Sequence, residues 1–276
     1  MIKYYKGRTN LAATVFIPVV CGNNCPFCNT NKLYDGFEFK EEYLDNILKS
    51  INLCNRNDAV REFVITGGEP LIDLDILKTI VNQMEKPVFI NTSLPITDKL
   101  DECIEYINNE DKIGGVNISR HINTIHNVKT AGLEYINKIN KYVRINCVVT
   151  PSMLNDSLLS YIDYYSTPYR MINFRADYRE ITTDTLKNRN EVTDWLLDHF
   201  KYESSNNCLV CNSEFYSDEE YKVICYHRGL ESSCVTTPNR IYVNDIIIDM
   251  YGKVYKDWDM EPDVLFNTAL NENNII

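Results

Sequence analysis

Three cysteines stand within eight residues of the chain, in the run Cys21-Gly-Asn-Asn-Cys25-Pro-Phe-Cys28. Three thiolates at this C-x3-C-x2-C spacing can surround one inorganic centre, whereas a [4Fe–4S] cluster normally takes four cysteines. A triad therefore leaves one iron open for chemistry, which a cluster that only stores electrons does not need. The alternative that these residues leave open is a zinc site that lacks its fourth ligand.

The second motif is Thr66-Gly67-Gly68-Glu69-Pro70, which directly follows a strand-like run. Paired glycines let a backbone approach a ligand closely, because no side chain stands in the way. Beside them, Glu69 can accept hydrogen bonds from a positively charged amino group. The alternative is an ordinary tight turn that binds nothing.

A second group of cysteines lies late in the chain and consists of Cys208, Cys211, Cys225 and Cys234. Two interpretations stay open for this group: a metal centre, either an auxiliary iron–sulfur cluster or structural zinc, or four ordinary thiols. Elsewhere, Cys54 and Cys103 occupy apolar positions of helix-like patterns. We therefore predict that these two are small core residues.

The elements that must position the motifs alternate between strand-like and helix-like patterns. Six βα repeats predict a parallel sheet with crossover helices, in which ligands collect at the carboxyl ends of the strands. Both motifs follow strands. Periodicity alone does not distinguish an open sheet from a partial barrel. The predicted strands span residues 13–20, 62–66, 88–91, 115–119, 142–149 and 171–176, and the helices 41–54, 71–84, 99–107, 133–139, 156–165 and 191–200.

Composition excludes several classes of protein. The chain has 276 residues, of which 44% are hydrophobic, so a packed core is expected. Its net charge of −11 makes it a poor binder of duplex nucleic acid. No stretch approaches the roughly 20 apolar residues that span a bilayer. The first residues lack the apolar segment of a signal peptide, and we expect a cytoplasmic protein without membrane contact.

The pattern changes after Phe200. Polar, cysteine-bearing segments follow, and then a hairpin-like pair at 242–249 and 254–258. We therefore divide the chain into a main domain, residues 1–202, and a small cysteine-containing C-terminal extension, residues 203–276.

The C-x3-C-x2-C run and the GGEP motif, in this order and each at a strand end, resemble the radical S-adenosylmethionine (SAM) superfamily. The resemblance covers roughly residues 13–180 and implies an α/β fold, a partial (β/α)6 TIM-like barrel. It implies a [4Fe–4S] cluster that reductively cleaves SAM to methionine and a 5′-deoxyadenosyl radical, which abstracts hydrogen from a substrate. A flavodoxin- or ferredoxin-type electron donor is implied as well.

The resemblance also implies roles for single residues. The GGEP motif would bind the methionine amino group, and Phe27 would lie beside the adenine. Asn117 and Ser119 would meet the ribose or carboxylate, and Arg120 would pair with the carboxylate. A solvated loop remains the alternative for Arg120, as does a strand residue for Asn146. The full set is Cys21, Cys25 and Cys28 for the cluster, with Phe27, Gly67, Gly68, Glu69, Asn117, Ser119, Arg120 and Asn146 for SAM.

The extension is expected to select the substrate. Its Cys208-x2-Cys211-x13-Cys225 spacing resembles the molybdenum-cofactor GTP cyclase, and its hairpin resembles SPASM and twitch extensions of peptide-modifying enzymes. However, Asp257 or Trp258 stands where that hairpin often ends in cysteine, and the tail NENNII lacks the glycine that the cyclase uses. GTP cyclisation is therefore disfavoured, and the substrate is expected to be a small molecule, a peptide or a nucleotide-like compound.

Two other functions stay open at this stage. One is an activase for a glycyl-radical enzyme, which would suit a chain of this length. The other is a metal-binding adaptor that has lost activity, against which the intact cysteine triad and GGEP motif argue.

Overall fold

The structure is a computed structural model. The residues that it describes are 3–6, 11–28, 30–122, 129–177, 179, 190–205, 213–219, 222–228, 235–237, 240–243, 245–256, 258 and 260.

Fourteen strands and six α-helices are found among these residues, beside two 3₁₀ turns. The strands β1 to β14 are Lys3–Lys6, Leu11–Ile17, Val60–Gly67, Val88–Thr92, Ile113–Ser119, Tyr142–Val149, Arg170–Ala176, Lys201–Ser205, Ser213–Ser217, Val223–His227, Val235–Thr237, Arg240–Val243, Asp245–Ile248 and Val254–Tyr255. The helices α1 to α6 are Glu41–Asn55, Leu74–Gln83, Leu100–Asn109, Leu133–Ile136, Asp156–Tyr165 and Glu191–His199. The 3₁₀ turns are Asn31–Leu33 and Pro151–Met153.

The predicted βα repeat is confirmed. Strands β2 to β7 pair in parallel and in chain order, with α1 to α5 in the crossovers. The bounds of β6 and α5 agree with the prediction at both ends. Helix α2 begins at Leu74 and not at residue 71, because the Asp73 carboxylate caps it by accepting from the amides of Asp75 and Ile76. Helix α4 ends at Ile136, three residues earlier than predicted.

The sheet curls into part of a barrel. Strands that follow one another in order, with no reversal, can curve as in a (β/α) barrel. Here Arg179, just after β7, donates from Nη1 to the carbonyl oxygen of Pro26, in the loop after β2, at 2.9 Å. Since β2 and β7 are the first and last of the six parallel strands, this contact requires a strongly curved sheet.

The two faces of the curved sheet differ in chemistry. One face packs against the helices and is apolar, with Ile65, Ile90 and Ile145 fully buried. The predicted core cysteines Cys54 and Cys103 are buried in this layer as well. A second apolar cluster continues under β6, β7 and β10. Because side chains alternate along a strand, the residues between the apolar ones point to the opposite face, here called the inner face.

Strands from the last third of the chain extend both edges of this sheet. Strand β10 pairs in parallel with β7, and β9 and β8 follow it. At the other edge, β13 pairs in parallel with β2 and forms the predicted hairpin with β14. The stretch predicted as one strand from residue 242 is interrupted, since β12 belongs to a separate sheet with β1 and β11. The division at residue 203 stays a prediction.

The β13–β14 hairpin closes against α1. The Ser50 hydroxyl donates to the carbonyl oxygen of Gly252 at 2.7 Å. Gly252 has a φ of +82° and touches the backbone of α1, so this turn requires glycine. Beyond the hairpin, the ring of Trp258 lies 5.5 Å from that of Phe16 on β2. Among the described residues, none of the helices is both long and apolar enough to cross a bilayer.

Candidate active site

The cysteine loop follows β2 and folds into a compact turn. Cys21, Cys25 and Cys28 are all partly exposed. The amide of Cys28 donates to the carbonyl oxygen of Cys25 at 3.0 Å, and the amide of Asn23 donates to the sulfur of Cys21 at 3.4 Å. The sulfur of Cys28 lies 3.3 Å from the Thr30 hydroxyl. The loop therefore presents three thiols from one short segment, with main-chain support.

The chemistry of these thiols fits an iron–sulfur cluster. Burial, followed by the neighbouring thiols of Cys28 and Cys21, raises the pKa of Cys25 to about 11. A bound cationic metal centre has the opposite effect and lowers the pKa of the thiol, because a coordinated thiol is deprotonated outright. In the described part of the chain, no group of three or more His, Cys, Asp or Glu side chains converges on a single metal ion. A cluster does not need such convergence, since its thiolates bind different irons.

The two glycines of the GGEP motif are required by packing. Gly67, at the end of β3, has a φ of +102°, which glycine alone adopts without strain. A Cβ on Gly68 would lie 1.5 Å from the carbonyl oxygen of Val19, at the start of the cysteine loop. The paired glycines were predicted to let the backbone approach a ligand closely. In the structure, Gly68 makes such a close approach to the backbone of the protein itself. This contact fixes the GGEP motif against the cysteine loop.

The carboxylate of Glu69 is buried and fully hydrogen-bonded. One oxygen accepts from the Leu71 amide at 3.2 Å and from the Thr92 hydroxyl at 2.5 Å. The other accepts from the amide and hydroxyl of Ser93, at 2.7 and 2.6 Å. Burial raises the pKa of Glu69, although hydrogen bonds from Ser93 and Thr92 act to lower it. A carboxylate has about four lone-pair sites, and these four donors occupy them, so this side chain braces β3 against β4. Its role toward the SAM amino group stays a prediction.

Sequence analysis missed the turn after β4 that meets this carboxylate. Leu94 has a φ of +52°, rare for a branched side chain, and its amide donates to the Thr92 hydroxyl at 2.8 Å. The turn aims Ser93 at the cysteine loop, where the Asn23 side-chain amide donates to its hydroxyl at 3.3 Å. The sequence did contain a signal for this turn. Two hydroxyl residues, Thr92 and Ser93, directly follow the predicted strand 88–91, at the edge of the sheet where ligands collect.

Arg120 takes its partners from the protein. Its guanidinium is buried and donates from Nη1 to the carbonyl oxygens of Ser93 and Ser119, at 2.6 and 2.8 Å. Its Nη2 donates to the carbonyl oxygen of Ala131 at 2.6 Å. This geometry does not agree with the alternative of a solvated loop, because three carbonyls hold the guanidinium inside the protein, and the pairing with a SAM carboxylate stays a prediction. Arg120 ties together the ends of β4 and β5.

Phe27 reaches the end of β5. Its ring meets that of His121 edge-on, with 4.4 Å between the centroids. The amide of Val148 donates to Nδ1 of His121 at 3.1 Å, which leaves Nε2 to carry the proton of the neutral ring. The cysteine loop is thus held from three sides, by the ends of β4, β5 and β7. The role of Phe27 beside an adenine stays a prediction.

The remaining predicted residues lie on the inner face, where Asn117 and Asn146 each form a side-chain amide pair. Asn117 donates from Nδ2 to Oδ1 of Asn91 at 2.7 Å, between β5 and β4. Ser119 stands in register with Asn146, which accepts on Oδ1 from Nδ2 of Asn173 at 2.8 Å. The structure therefore brings the predicted polar residues of β5 and β6 to one surface, and adds Asn91 and Asn173 to them.

The second cysteine group falls mostly outside the described residues, where Cys208, Cys211 and Cys234 lie. Cys225 is described and is buried on β10, on the inner face. Its sulfur lies 3.3 Å from Nε2 of His227, and Nδ1 of that ring lies 2.6 Å from the Ser213 hydroxyl. His227 stands two residues after Cys225 on β10, so both side chains lie on the same face of the strand, and the neighbouring strand β9 supplies Ser213.

Comparison with known proteins gives the family. Residues 15–148 match the family model of the radical SAM superfamily. The chain carries a radical SAM domain. The family of this domain implies a [4Fe–4S] cluster and SAM as cofactors, and the predictions of family and cofactors are confirmed. No curated protein sequence matches the chain.

Solved structures share the fold. Streptococcus suis SuiB bound to precursor peptide SuiA has a TM-score of 0.57 and 14% identity, over 90% of this chain and 60% of that one. SuiB bound to S-adenosylmethionine gives 0.55 and 16%, over the same shares. The structure of anSMEcpe with bound AdoMet has a TM-score of 0.47 and 18% identity, over 68% of this chain and 58% of that one. The predicted partial-barrel architecture of the radical SAM enzymes is thus confirmed, with a sheet that does not close. This chain spans about three fifths of the length of these proteins.

Proposed function

We propose that this radical SAM enzyme acts on a peptide and holds its cluster through Cys21, Cys25 and Cys28. The observation that carries the site assignment is the contact between the two motifs. Gly68 lies against the first residues of the cysteine loop, and the same loop hydrogen-bonds to the turn after β4. Three thiols, a glycine-rich strand end and a hydroxyl turn thus share one edge of the sheet.

When bound, the cluster supplies the electron that cleaves SAM and so yields the 5′-deoxyadenosyl radical, which takes hydrogen from the substrate. The chain's own residues position the reactants. Because Glu69 is saturated, main-chain oxygens of the GGEP motif are the acceptors for the SAM amino group. Phe27 offers its ring to the adenine, and Ser119 and Asn146 offer polar groups to the ribose or carboxylate.

Two features support a peptide as the substrate class. The hairpin that resembles SPASM and twitch extensions is formed as β13 and β14, and it pairs with β2 at the edge of the barrel. SuiB, which shares the fold, was crystallised with a precursor peptide. A small molecule or nucleotide-like compound is the competing substrate class.

The test of the site uses protein reconstituted with iron and sulfide without oxygen. With dithionite or a flavodoxin- or ferredoxin-type donor, it should convert SAM to 5′-deoxyadenosine even without substrate. The Cys21/Cys25/Cys28 triple-alanine variant should hold about four irons fewer and cleave no SAM. Cys54→Ala, which changes a core cysteine, should keep both properties. Full iron content in the triple variant would refute the ligand assignment.

We propose a second metal centre at Cys208, Cys211, Cys225 and Cys234. Its described part places the thiol of Cys225 beside the imidazole of His227, and both are groups that bind metals. Metal analysis of the triple-alanine variant distinguishes the alternatives. About four remaining irons indicate an auxiliary [4Fe–4S] cluster, and one zinc indicates a structural site. No metal in folded protein would overturn this second centre.

A further inference from the structure

A tyrosine outside both motifs reaches the place where they meet. Tyr34 follows the short 3₁₀ turn Asn31–Leu33 and is buried. Its hydroxyl donates to the carbonyl oxygen of Ile17, the last residue of β2, at 2.7 Å. A Cβ on Gly67, the last residue of β3, would overlap the oxygen of this hydroxyl. The Tyr34 hydroxyl therefore lies between the ends of β2 and β3, directly beside the GGEP motif.

The same hydroxyl binds the main chain of that motif. Burial raises the pKa of Tyr34, and a hydrogen bond from the backbone of Gly68 acts to lower it. In this bond the Gly68 amide donates and the phenol oxygen accepts, because an amide N–H is only a donor whereas a phenol can do both. One hydroxyl thus accepts from the GGEP motif and donates to β2.

This bond fixes the direction of one peptide group. None of the described peptide bonds is cis, so the Gly68 amide and the Gly67 carbonyl oxygen, which share one planar unit, point in opposite directions. The amide points to the Tyr34 hydroxyl at the end of β2. Since β3 lies between β2 and β4, the oxygen points to the side of β4. The paired register of β3 with β4 covers Phe63–Ile65 and has ended at this level, so a donor from a ligand can reach the oxygen.

We propose that Tyr34 is a positioning residue for SAM, whose hydroxyl holds the Gly67–Gly68 peptide so that the Gly67 oxygen accepts from the SAM amino group. This inference rests on the proposed function, which assigns that amino group to main-chain oxygens of the GGEP motif. Tyr34 adds the group that orients the acceptor. Without the hydroxyl, the peptide between two glycines can rotate, because glycine has wide backbone freedom, and its oxygen loses alignment with the ammonium group.

The experiment compares SAM with its desamino analogue, in which a hydrogen replaces the amino group. Dissociation constants are measured by anaerobic equilibrium dialysis on the holoenzyme reconstituted with iron and sulfide. In Tyr34→Phe, which removes only the hydroxyl, SAM should bind about tenfold more weakly, as expected when a hydrogen bond to a charged group is lost. The analogue has no ammonium group, so its dissociation constant should be the same for both proteins.

Further variants show whether the effect belongs to this hydroxyl. The ring of Tyr43 packs against Phe37, as that of Tyr34 does, so Tyr43→Phe is the matched control and should leave the binding of both ligands unchanged. Replacement of Tyr34 by 4-aminophenylalanine keeps a group that can donate to Ile17 and should restore most of the affinity for SAM. It also carries the test if Tyr34→Phe does not fold.

A spectroscopic readout separates positioning from general support of the cysteine loop. Without SAM, Tyr34→Phe should have the iron content of the wild type and the same electron paramagnetic resonance spectrum of the reduced cluster. The change that SAM causes in that spectrum should need about tenfold more SAM in the variant, in line with the weaker binding.

The outcomes separate this inference from the proposed function. Unchanged SAM binding in Tyr34→Phe, equal weakening of SAM and the desamino analogue, or iron loss that 4-aminophenylalanine does not repair would overturn the inference. SAM cleavage by the wild-type protein would still uphold the enzyme assignment. A wild-type holoenzyme that neither binds nor cleaves SAM would contradict the proposed function itself.

Discussion

The two halves of the curved sheet pair their polar groups in different ways. At the ends of β3 to β5, Glu69 receives four hydrogen bonds and Arg120 donates three, all within the protein. On β7, Asn173 is equally buried but keeps an acceptor without a partner. Since unpaired buried groups are costly, the charged groups at the ends of β3 to β5 are stabilised by the fold itself, whereas β7 keeps hydrogen-bonding capacity open.

This difference agrees with what each half must do. Under the proposed function, the cysteine loop and the GGEP motif hold the same cofactors in every turnover, so their supports can be fixed by the fold. The open acceptor on β7 lowers the stability of the protein, because a buried polar group without a partner is costly.

The largest expected effect is at Gly68. In Gly68→Val a Cβ would overlap the carbonyl oxygen of Val19, which lies 1.5 Å from its position, and the cysteine loop must move. A displacement of about 1 Å at a reacting centre can cost about 100-fold in rate. We expect iron content to fall and 5′-deoxyadenosine formation to drop by at least that factor.

The matched control is Gly114→Ala on β5. There the added Cβ would lie 3.4 Å from the nearest atom of Phe89, which is an ordinary contact. This variant should keep its iron and its SAM cleavage. A normal rate in Gly68→Val would show that the GGEP motif and the cysteine loop are not packed together as described.

Glu69 gives the next largest effect. Glu69→Ala leaves the main-chain amides of Leu71 and Ser93 buried without acceptors, at about 1–3 kcal/mol each. We therefore expect a loss of about 2–6 kcal/mol in the free energy of unfolding, measured by anaerobic chemical denaturation. Glu69→Gln keeps one acceptor oxygen and should lose less.

The control for this change is Glu62→Ala, on the same strand but half-exposed, which should alter stability by no more than about 0.5 kcal/mol. The comparison also shows whether the Glu69 carboxylate braces the strands or binds SAM directly. If Glu69→Ala left stability unchanged and only weakened SAM binding, its carboxylate would be the ammonium acceptor after all.

Local sequence patterns predicted the repeat of strands and helices, because the burial of one face of each element directly imposes the spacing of its apolar residues. The alternation of apolar side chains in Tyr142–Val149 and the helical face of Asp156–Tyr165 are both local signals. The cysteine triad and the GGEP motif were found for the same reason, since each is contiguous.

Contacts between distant residues were not predictable from these signals. The donors to Glu69 include Ser93, 24 residues away, and the contact that shows the curvature joins Arg179 to Pro26 across 153 residues. Through such contacts Glu69 and Arg120 hold the ends of β3, β4 and β5 together, which no local pattern predicted. Likewise, no local pattern shows that β10 and β13 join opposite edges of one sheet.

The smallest expected effect on stability comes from Asn173, and it tests the open half directly. Asn173→Leu removes one hydrogen bond, to Oδ1 of Asn146, and also removes the oxygen that has no partner. The first loss is worth about 0.5–1.5 kcal/mol, and relief of the second offsets part of it. The free energy of unfolding should therefore fall by about 1 kcal/mol or less, well below the loss in Glu69→Ala. Denaturation of both variants side by side makes the measurement. An equal loss at Asn173 would mean that its oxygen is already satisfied within the protein, and the contrast between the two halves would disappear.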